Sequence, residues 1–323
     1  MAGPSPAGVP FVQTATWLNA TCHLAKPETA SPEPEVAVTT VQGPTAGRRR
    51  LRTALRAARE DANLTQEFVA DKMDWSLSKL IRIETGRVSV STNDVKALLQ
   101  LYEIDGTDVA DELVALARVA RQKPWWQDSR GAIPAHYAQY IGLEVEASAM
   151  RCFQSSVIPG LAQTEQYARA VVTNRTPGQI RPDELDTRVE VRMRRKTEVL
   201  SRDEPPALDI ILDEAVLRRA IGGRAVHRDQ LEHLIALAAA PTITIQVVPF
   251  SAGAMTAAGS FVILQFPDNA DDDVVYLESA LLENFIERPT ETAPYHDEFH
   301  WLRSIALPPA ASLSFIEDIV QGL

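Results

Sequence analysis

The sequence is poor in cysteine and aromatic residues. Its 323 residues include two cysteines, Cys22 and Cys152, and 6% aromatics. Two cysteines so far apart form neither a disulfide framework nor the paired spacing of a structural zinc site. No apolar run approaches the about 18 residues of a membrane helix, and the start MAGPSPAGVP lacks the charge-then-apolar order of a signal peptide. We therefore expect a cytoplasmic protein with reduced thiols that does not enter a membrane.

Charge is unevenly distributed along the chain. The net charge of −11 argues against a nucleic-acid partner, because binding a polyanion requires a locally basic surface. Residues 47–96, however, hold eleven Lys and Arg against seven acidic residues, which leaves this window at +4 and the rest of the chain at −15. A small basic module is thus attached to an acidic remainder, and we expect different roles for the two.

Length and pattern divide the chain into three parts, because 323 residues exceed what one core usually organises. Residues 1–46 contain seven prolines and no sustained period, which predicts a mobile tail. Residues 47–123 predict short helices and residues 124–323 a mixture of helices and strands. The predicted fold class is multidomain, with an all-α helix-turn-helix bundle followed by an α+β (mixed α/β) domain.

Capping residues and β-branched runs locate the elements. Five helices are expected in the bundle, the first from Arg48 and the others after caps at Thr65, Ser76, Ser91 or Thr92, and Thr107. Strands are predicted at 149–153, 207–212, 242–248, 260–266 and 273–277. Further helices are predicted at 164–172, 183–200, 214–220, 228–239, 294–305 and 312–321.

The stretch LTQEFVADKMDWSLSKLIRIETG, residues 64–86, predicts a helix-turn-helix. Two helices joined by the short turn Asp74-Trp75 must cross steeply over a small shared core, with Val69 and Met73 facing Leu80 and Ile83. The second helix then projects polar side chains toward base edges in a major groove.

This motif resembles the XRE family of helix-turn-helix regulators, the phage-repressor-like kind, over residues 47–102. The match rests on LTQ at 64–66, Ala70 and the ending Ile83-Glu84-x-Gly86-Arg87. The resemblance implies that Gln66 contacts phosphate and base, and that Arg59 and Glu84 form a structural ion pair. The turn position that usually holds Gly carries Asp74, which adopts positive φ at some cost.

We expect DNA contacts from Arg49, Thr65, Gln66, Ser76, Leu77, Ser78, Lys79, Arg82 and Arg87. Leu77 either contacts a thymine methyl or completes the bundle core. Ser76 caps its helix in either case, and Arg82 is either a solvated charge or a contact to phosphate or guanine. The run Arg48–Arg50 is either a solvated face or a clamp on the DNA backbone that carries no sequence information.

The remainder resembles the C-terminal domain often attached to XRE regulators in filamentous actinobacteria and described as antitoxin-like. The matching pieces are EVEA at 144–147, VIPGLAQT at 157–164, YAR at 167–169, RMRRK at 192–196, DEAVLRR at 213–219 and IQVVPF at 245–250. This resemblance implies regulation without naming an effector.

Pro159-Gly160 precedes a helix capped by Thr164 and makes a rigid turn. Its amides either meet an anion or carbonyl, or simply connect a strand to a helix. The candidate effector or partner site comprises Pro159, Gly160, Gln163, Thr164 and Tyr167.

No catalytic residue, metal site or cofactor is predicted. Glu144 and Glu146 lie two apart and do not share a helix face. In His296-Asp297-Glu298-Phe299-His300 the residue after the first histidine is Asp, whereas the metalloprotease motif has Glu there. With no nucleophile elbow or phosphate loop, we expect a protein that is not an enzyme.

The sequence predicts a sequence-specific transcriptional regulator that binds double-stranded DNA as a homodimer on a palindromic operator. A small-molecule effector or a small partner protein would act through the acidic C-terminal domain, and the regulator would be nucleoid-associated when bound. The alternative is an antitoxin-like interaction protein that binds a small basic partner and autoregulates its own operon. The net charge of −13 over residues 97–323 favours that alternative.

Overall fold

The computed structural model describes residues 43–86, 88–129, 131, 133–175, 180–253, 259–267, 272–278 and 283–323. The tail predicted over residues 1–46 lies almost entirely outside these residues. Helix α1 begins at Pro44, inside that range and four residues before Arg48. Proline suits the first turn of a helix, because its missing N–H has no partner to lose there.

Five helices follow one another in the N-terminal part: α1 (Pro44–Asp61), α2 (Gln66–Lys72), α3 (Leu77–Glu84), α4 (Thr92–Leu101) and α5 (Asp108–Ala120). The predicted caps are confirmed, because Thr65, Ser76, Ser91 and Thr107 each accept a backbone N–H three residues on. The helices enclose one core, whose members include Leu51, Leu55, Val69, Leu80 and Leu98.

The remaining helices are α6 (Ala135–Glu146), α7 (Glu165–Arg175), α8 (Pro182–Leu200), α9 (Glu214–Arg218), α10 (Arg224–Leu237), α11 (Pro289–Ile305) and α12 (Pro309–Gly322). The strands are β1 (Ala149–Gln154), β2 (Ala207–Asp213), β3 (Ile243–Val248), β4 (Phe261–Gln265), β5 (Val274–Glu278) and β6 (Glu283–Ile286). The five predicted strands are confirmed; α6 and β6 were not predicted.

The six strands form one mixed sheet in the order β3-β2-β1-β4-β5-β6. The pairs β1–β2 and β2–β3 are parallel, and the pairs from β1–β4 to β5–β6 are antiparallel. Cys152 and Phe153 are neighbours on β1 and belong to different cores, as expected when side chains alternate between the faces of a sheet. The predicted fold class, a helical bundle followed by an α+β domain, is confirmed.

Among the residues that the structure describes, no helix has both the length and the apolar character needed to cross a membrane.

Candidate nucleic-acid interface and C-terminal pocket

Helix α3 separates buried from exposed side chains. Leu80 and Ile83 are buried in the bundle, whereas Leu77 and Ile81 are 37% and 39% exposed. Because Leu77 points to solvent, its interpretation as a core residue is wrong, and its contact with a thymine methyl stays a prediction.

Four of the polar residues predicted to contact DNA lie on the same helix or at its start, namely Ser76, Ser78, Lys79 and Arg82. Ser76, Ser78 and Arg82 are exposed. The Ser76 hydroxyl caps α3 by accepting the Lys79 N–H at 3.2 Å, and Arg82 Nε donates to the Ser78 carbonyl oxygen at 3.3 Å. Thr65 is exposed at the start of α2. DNA contacts by these residues stay predictions, and Arg87 lies outside the described residues.

Lys79 differs from its neighbours on α3 because its ammonium is held against an aromatic ring. Its Nζ lies 3.7 Å from the centre of the Trp75 ring, which is a cation–π distance. Trp75 follows Asp74, whose φ of 53° confirms the predicted positive φ of the turn. The Lys79 charge is therefore placed beside the turn that sets the angle between α2 and α3.

A buried polar network fixes these two helices from behind. Arg59 Nε lies 2.7 Å from Glu84 Oε1, so the predicted ion pair is confirmed. Gln66 Nε2 donates to Glu84 Oε2 at 2.7 Å. One amide hydrogen of Gln66 is thereby used inside the protein, and any contact with phosphate or base has to be made by the rest of its side-chain amide.

The predicted contact of Arg49 with DNA is wrong, because this residue lies inside the protein. Its side chain was predicted to clamp the DNA backbone, but it is buried, with its guanidinium 4.6 Å from the centre of the Phe266 ring. It also donates to the Asp272 carbonyl oxygen, and its Nε lies 3.9 Å from Glu287 Oε2. Arg49 thus packs α1 against segments that flank the strands β4, β5 and β6, and it is not presented to a duplex.

The C-terminal domain contains a pocket between α6, α8 and the strands β1, β4 and β5, and we call it the C-terminal pocket. Its cavity volume is about 60 Å³, and it opens to solvent. Three of the predicted effector residues, Pro159, Gly160 and Gln163, line it. Thr164 and Tyr167 lie behind this loop: the Thr164 N–H donates to Gln230, and the buried Tyr167 hydroxyl accepts the Ile158 N–H. Thr164 and Tyr167 do not line the C-terminal pocket, and their part in binding an effector or partner stays a prediction.

A buried ion pair lies in the wall of the C-terminal pocket. Glu144 Oε2 of α6 is 3.0 Å from Arg195 Nε of α8, and both side chains are almost fully enclosed. Arg195 also donates to the Tyr137 hydroxyl. A Cβ at Gly160 would overlap Arg195 Nη2, so any larger residue would displace the guanidinium that the loop crosses.

Tyrosines surround this ion pair. The rings of Tyr140 and Tyr276 stack with centres 4.1 Å apart, and Tyr137 lies 6.5 Å from Tyr140. Burial, followed by the neighbouring Glu144 charge, raises the pKa of Tyr140 well above its usual value, so the hydroxyl stays protonated. Sequence reasoning missed these tyrosines, although Glu144 and Arg195 belong to the EVEA and RMRRK pieces.

Glu144 and Glu146 act on different sides of α6. While Glu144 pairs with Arg195, Glu146 Oε1 accepts the backbone N–H of Thr45 in α1 at 2.8 Å. The prediction that they do not share a face is confirmed. Helix α6 therefore contacts both the C-terminal pocket and the first helix of the bundle.

The histidines make local contacts. His296 Nε2 of α11 lies 3.1 Å from Oδ2 of Asp273, the residue that precedes β5. Lys196 Nζ lies 2.7 Å from His233 Nε2, and the pKa of His233 is lowered by burial and then by the Lys196 charge. In the described part of the chain, no group of three or more His, Cys, Asp or Glu side chains is arranged to hold a metal.

Two family models match the chain. A helix-turn-helix domain covers residues 50–113, which indicates a DNA-binding regulator. A domain of unknown function (DUF5753) covers residues 137–318. No curated protein and no solved structure matches. The DUF5753 model spans more than half of the chain, so the chain belongs to the family that this domain defines. It carries a helix-turn-helix domain ahead of the family domain.

Proposed function

We propose that the protein is a sequence-specific transcriptional regulator of the XRE type that reads DNA with α3. The observation that carries this proposal is the exposed face of α3, where the aliphatic Leu77 and Ile81 accompany the cationic Arg82. Exposed aliphatic groups are unfavourable in water, and a major groove offers them thymine methyl groups beside guanine and phosphate acceptors.

The start of α3 is suited to enter the groove. Recognition helices contact bases mainly with their N-terminal residues, and here these are the exposed Ser76, Leu77 and Ser78. The buried contacts of Arg59 and Gln66 with Glu84 hold α3 at a fixed angle to the rest of the bundle, so base contacts need no reordering of the helix.

The regulator acts as a homodimer on a palindromic operator in this proposal. One helix-turn-helix reads too few base pairs for useful specificity, and two half-sites one helical turn apart demand a protein with two-fold symmetry. We assign residues 47–123 to the DNA-binding domain and residues 124–323 to the domain that controls it.

Control from the C-terminal domain has a physical route through α6. Its Glu146 binds the backbone of α1 at Thr45, and its Glu144 belongs to the wall of the C-terminal pocket. Arg49 and Arg52 of α1 make further contacts with Glu287. A ligand or partner that shifts α6 would therefore act on the helix that supports α3. The antitoxin-like alternative draws on the charge of residues 97–323 and on the resemblance of the C-terminal domain, and we do not propose it.

The experiment is recovery and sequencing of genomic fragments bound by the full-length protein, followed by footprinting on the enriched site. We expect a protected palindrome. Arg82→Ala should weaken binding to that site by about 1–3 kcal/mol and relax preference at one base pair. The control is Arg118→Ala on α5, which removes an exposed charge of the same kind. Equal binding of wild type to the site and to random duplex contradicts the proposal.

A further inference from the structure

The C-terminal pocket has the composition of a small-molecule site. Apolar side chains such as Met150, Val157 and Phe261 form much of its wall, and a few polar groups converge inside it. Half-buried Val157, Pro159 and Arg192 mark its open side. Pockets of this kind bury a ligand's apolar body and fix its orientation through a small number of polar contacts.

The charges that line the C-terminal pocket favour an anion. Two arginines, Arg192 and Arg195, face one carboxylate, Glu144, so the lining has a net charge of +1. Both guanidiniums lie over the Tyr137 ring, at 5.2 and 5.4 Å from its centre. Guanidiniums bind carboxylates through paired N–H donors, and this interaction is strongest where water is excluded.

The walls favour a flat ring. Tyr137, Tyr140, Tyr276 and Phe261 all line the C-terminal pocket, and the first three follow one another in ring contact. Aromatic side chains accept another ring in offset or edge-to-face arrangements, which an aliphatic body of the same size cannot exploit.

Gln163 supplies an acceptor that is not satisfied by the described residues. The side chain is 97% buried, and its Nε2 donates to the Ile158 carbonyl oxygen at 2.7 Å. That bond fixes the amide orientation, and its Oε1, although enclosed, has no hydrogen-bond partner in the described part of the protein. A buried acceptor without a donor is costly, so a ligand that brings an N–H or O–H group gains by satisfying it.

We propose that the C-terminal pocket binds a small aromatic monoanion, a carboxylate on a planar ring that also carries a hydroxyl or N–H donor. The carboxylate lies against Arg192 and Arg195, the ring lies among the tyrosines, and the donor group meets Gln163 Oε1. The role of this ligand as an effector rests on the proposed function, whereas its binding does not.

The test is calorimetric titration of the full-length protein, without DNA, with 4-hydroxybenzoate as the probe. Benzoate lacks the donor, 4-hydroxybenzyl alcohol lacks the charge and 4-hydroxycyclohexanecarboxylate lacks the aromatic ring. We expect each of these three to bind about tenfold more weakly than the probe, because each loses one of the three interactions. No binding of the probe in the millimolar range, or equal binding of the neutral alcohol, overturns the proposal.

Two variants locate the binding. Arg192→Gln removes the charge at the open side and should weaken the probe about tenfold, whereas Arg194→Gln on the same helix should bind it like wild type. Arg194 is exposed and stacks on Trp125 outside the C-terminal pocket. Val157→Phe places a larger side chain in the wall of the pocket and should abolish binding, with thermal unfolding as the check that the variant folds. Unchanged affinity in Arg192→Gln overturns the proposed site.

A failure of the proposed function can be distinguished from a failure of ligand binding, because the two are measured in different assays. It would show as equal binding to operator and random duplex in an assay that contains no probe, and it would leave the titration of the C-terminal pocket unchanged.

Discussion

Arg59 of α1 and Glu84 of α3 form an ion pair of 2.7 Å in the interior of the helix-turn-helix bundle, and both side chains are at least 90% buried. The two residues are 25 positions apart in the chain and join α1 to α3. Since Glu84 also receives the Gln66 amide, one carboxylate links α1, α2 and α3.

Removal of one partner should destabilise the bundle strongly. Arg59→Met leaves the Glu84 charge buried without its cation, and we expect a loss of about 3–5 kcal/mol in the free energy of unfolding, measured with urea. The double variant Arg59→Met/Glu84→Leu should recover part of the loss because no charge is left behind. Arg56→Met, which breaks the exposed pair with Glu60, is the control and should change stability little. A small effect of Arg59→Met would contradict a structural role for the pair.

Arg49 and Arg82 should show opposite effects although both are arginines of the basic module. Arg49→Ala removes the contacts with Phe266 and Glu287, and we expect about 1–3 kcal/mol less stability with unchanged affinity for DNA. Arg82→Ala should retain stability and lose DNA affinity. Urea unfolding and fluorescence anisotropy with the enriched operator measure the two quantities. If a stable Arg49→Ala variant lost affinity for all DNA sequences equally, the interpretation of Arg49 as a clamp on the DNA backbone would be correct after all.

The Asp74 turn should accept glycine better than alanine. At a φ of 53°, a Cβ meets the following carbonyl, so Asp74→Gly should be about 1 kcal/mol more stable than Asp74→Ala. The matched control is Asp71, which is exposed inside α2. There the order should reverse, with Asp71→Gly about 1 kcal/mol less stable than Asp71→Ala. The same order at both positions would contradict the positive φ.

Local signals predicted the bundle well because caps and turns act over a few residues. Thr65, Ser76 and Thr107 cap their helices by the contacts that their sequence positions favour. Helix α6 was not predicted because it lacks the polar face by which a helix is recognised in a sequence. Its buried residues include Tyr140, Ile141, Gly142, Leu143, Glu144 and Glu146. The DNA contact predicted for Arg49 is wrong for a related reason, since the sequence of α1 does not show that Phe266 and Glu287 cover one more of its faces.

The sequence predicted only those residues of the C-terminal pocket that belong to one local motif. Pro159, Gly160 and Gln163 lie in one turn, so the sequence pointed to them together. Tyr137, Arg195 and Tyr276 come from α6, α8 and β5, and tertiary packing alone brings them to one place. A single sequence carries no signal for contacts between segments so far apart.

His233 should make the protein less stable as the pH falls. Burial and then the Lys196 charge lower its pKa in the folded state, so the unfolded chain takes up the proton first and stability is lost below the ordinary histidine pKa of about 6.5. His233→Gln retains an acceptor for Lys196 Nζ and cannot titrate. We therefore expect a smaller drop in melting temperature between pH 7 and pH 5 in this variant than in wild type.

The control for this pH effect is His300→Gln, because His300 is exposed on α11. The drop in melting temperature of this control should match that of wild type. If His233→Gln also matched wild type over this pH range, the proton taken up on unfolding would have to bind elsewhere. In that case the contact of 2.7 Å between Lys196 Nζ and His233 Nε2 would not be what disfavours protonation of the folded protein.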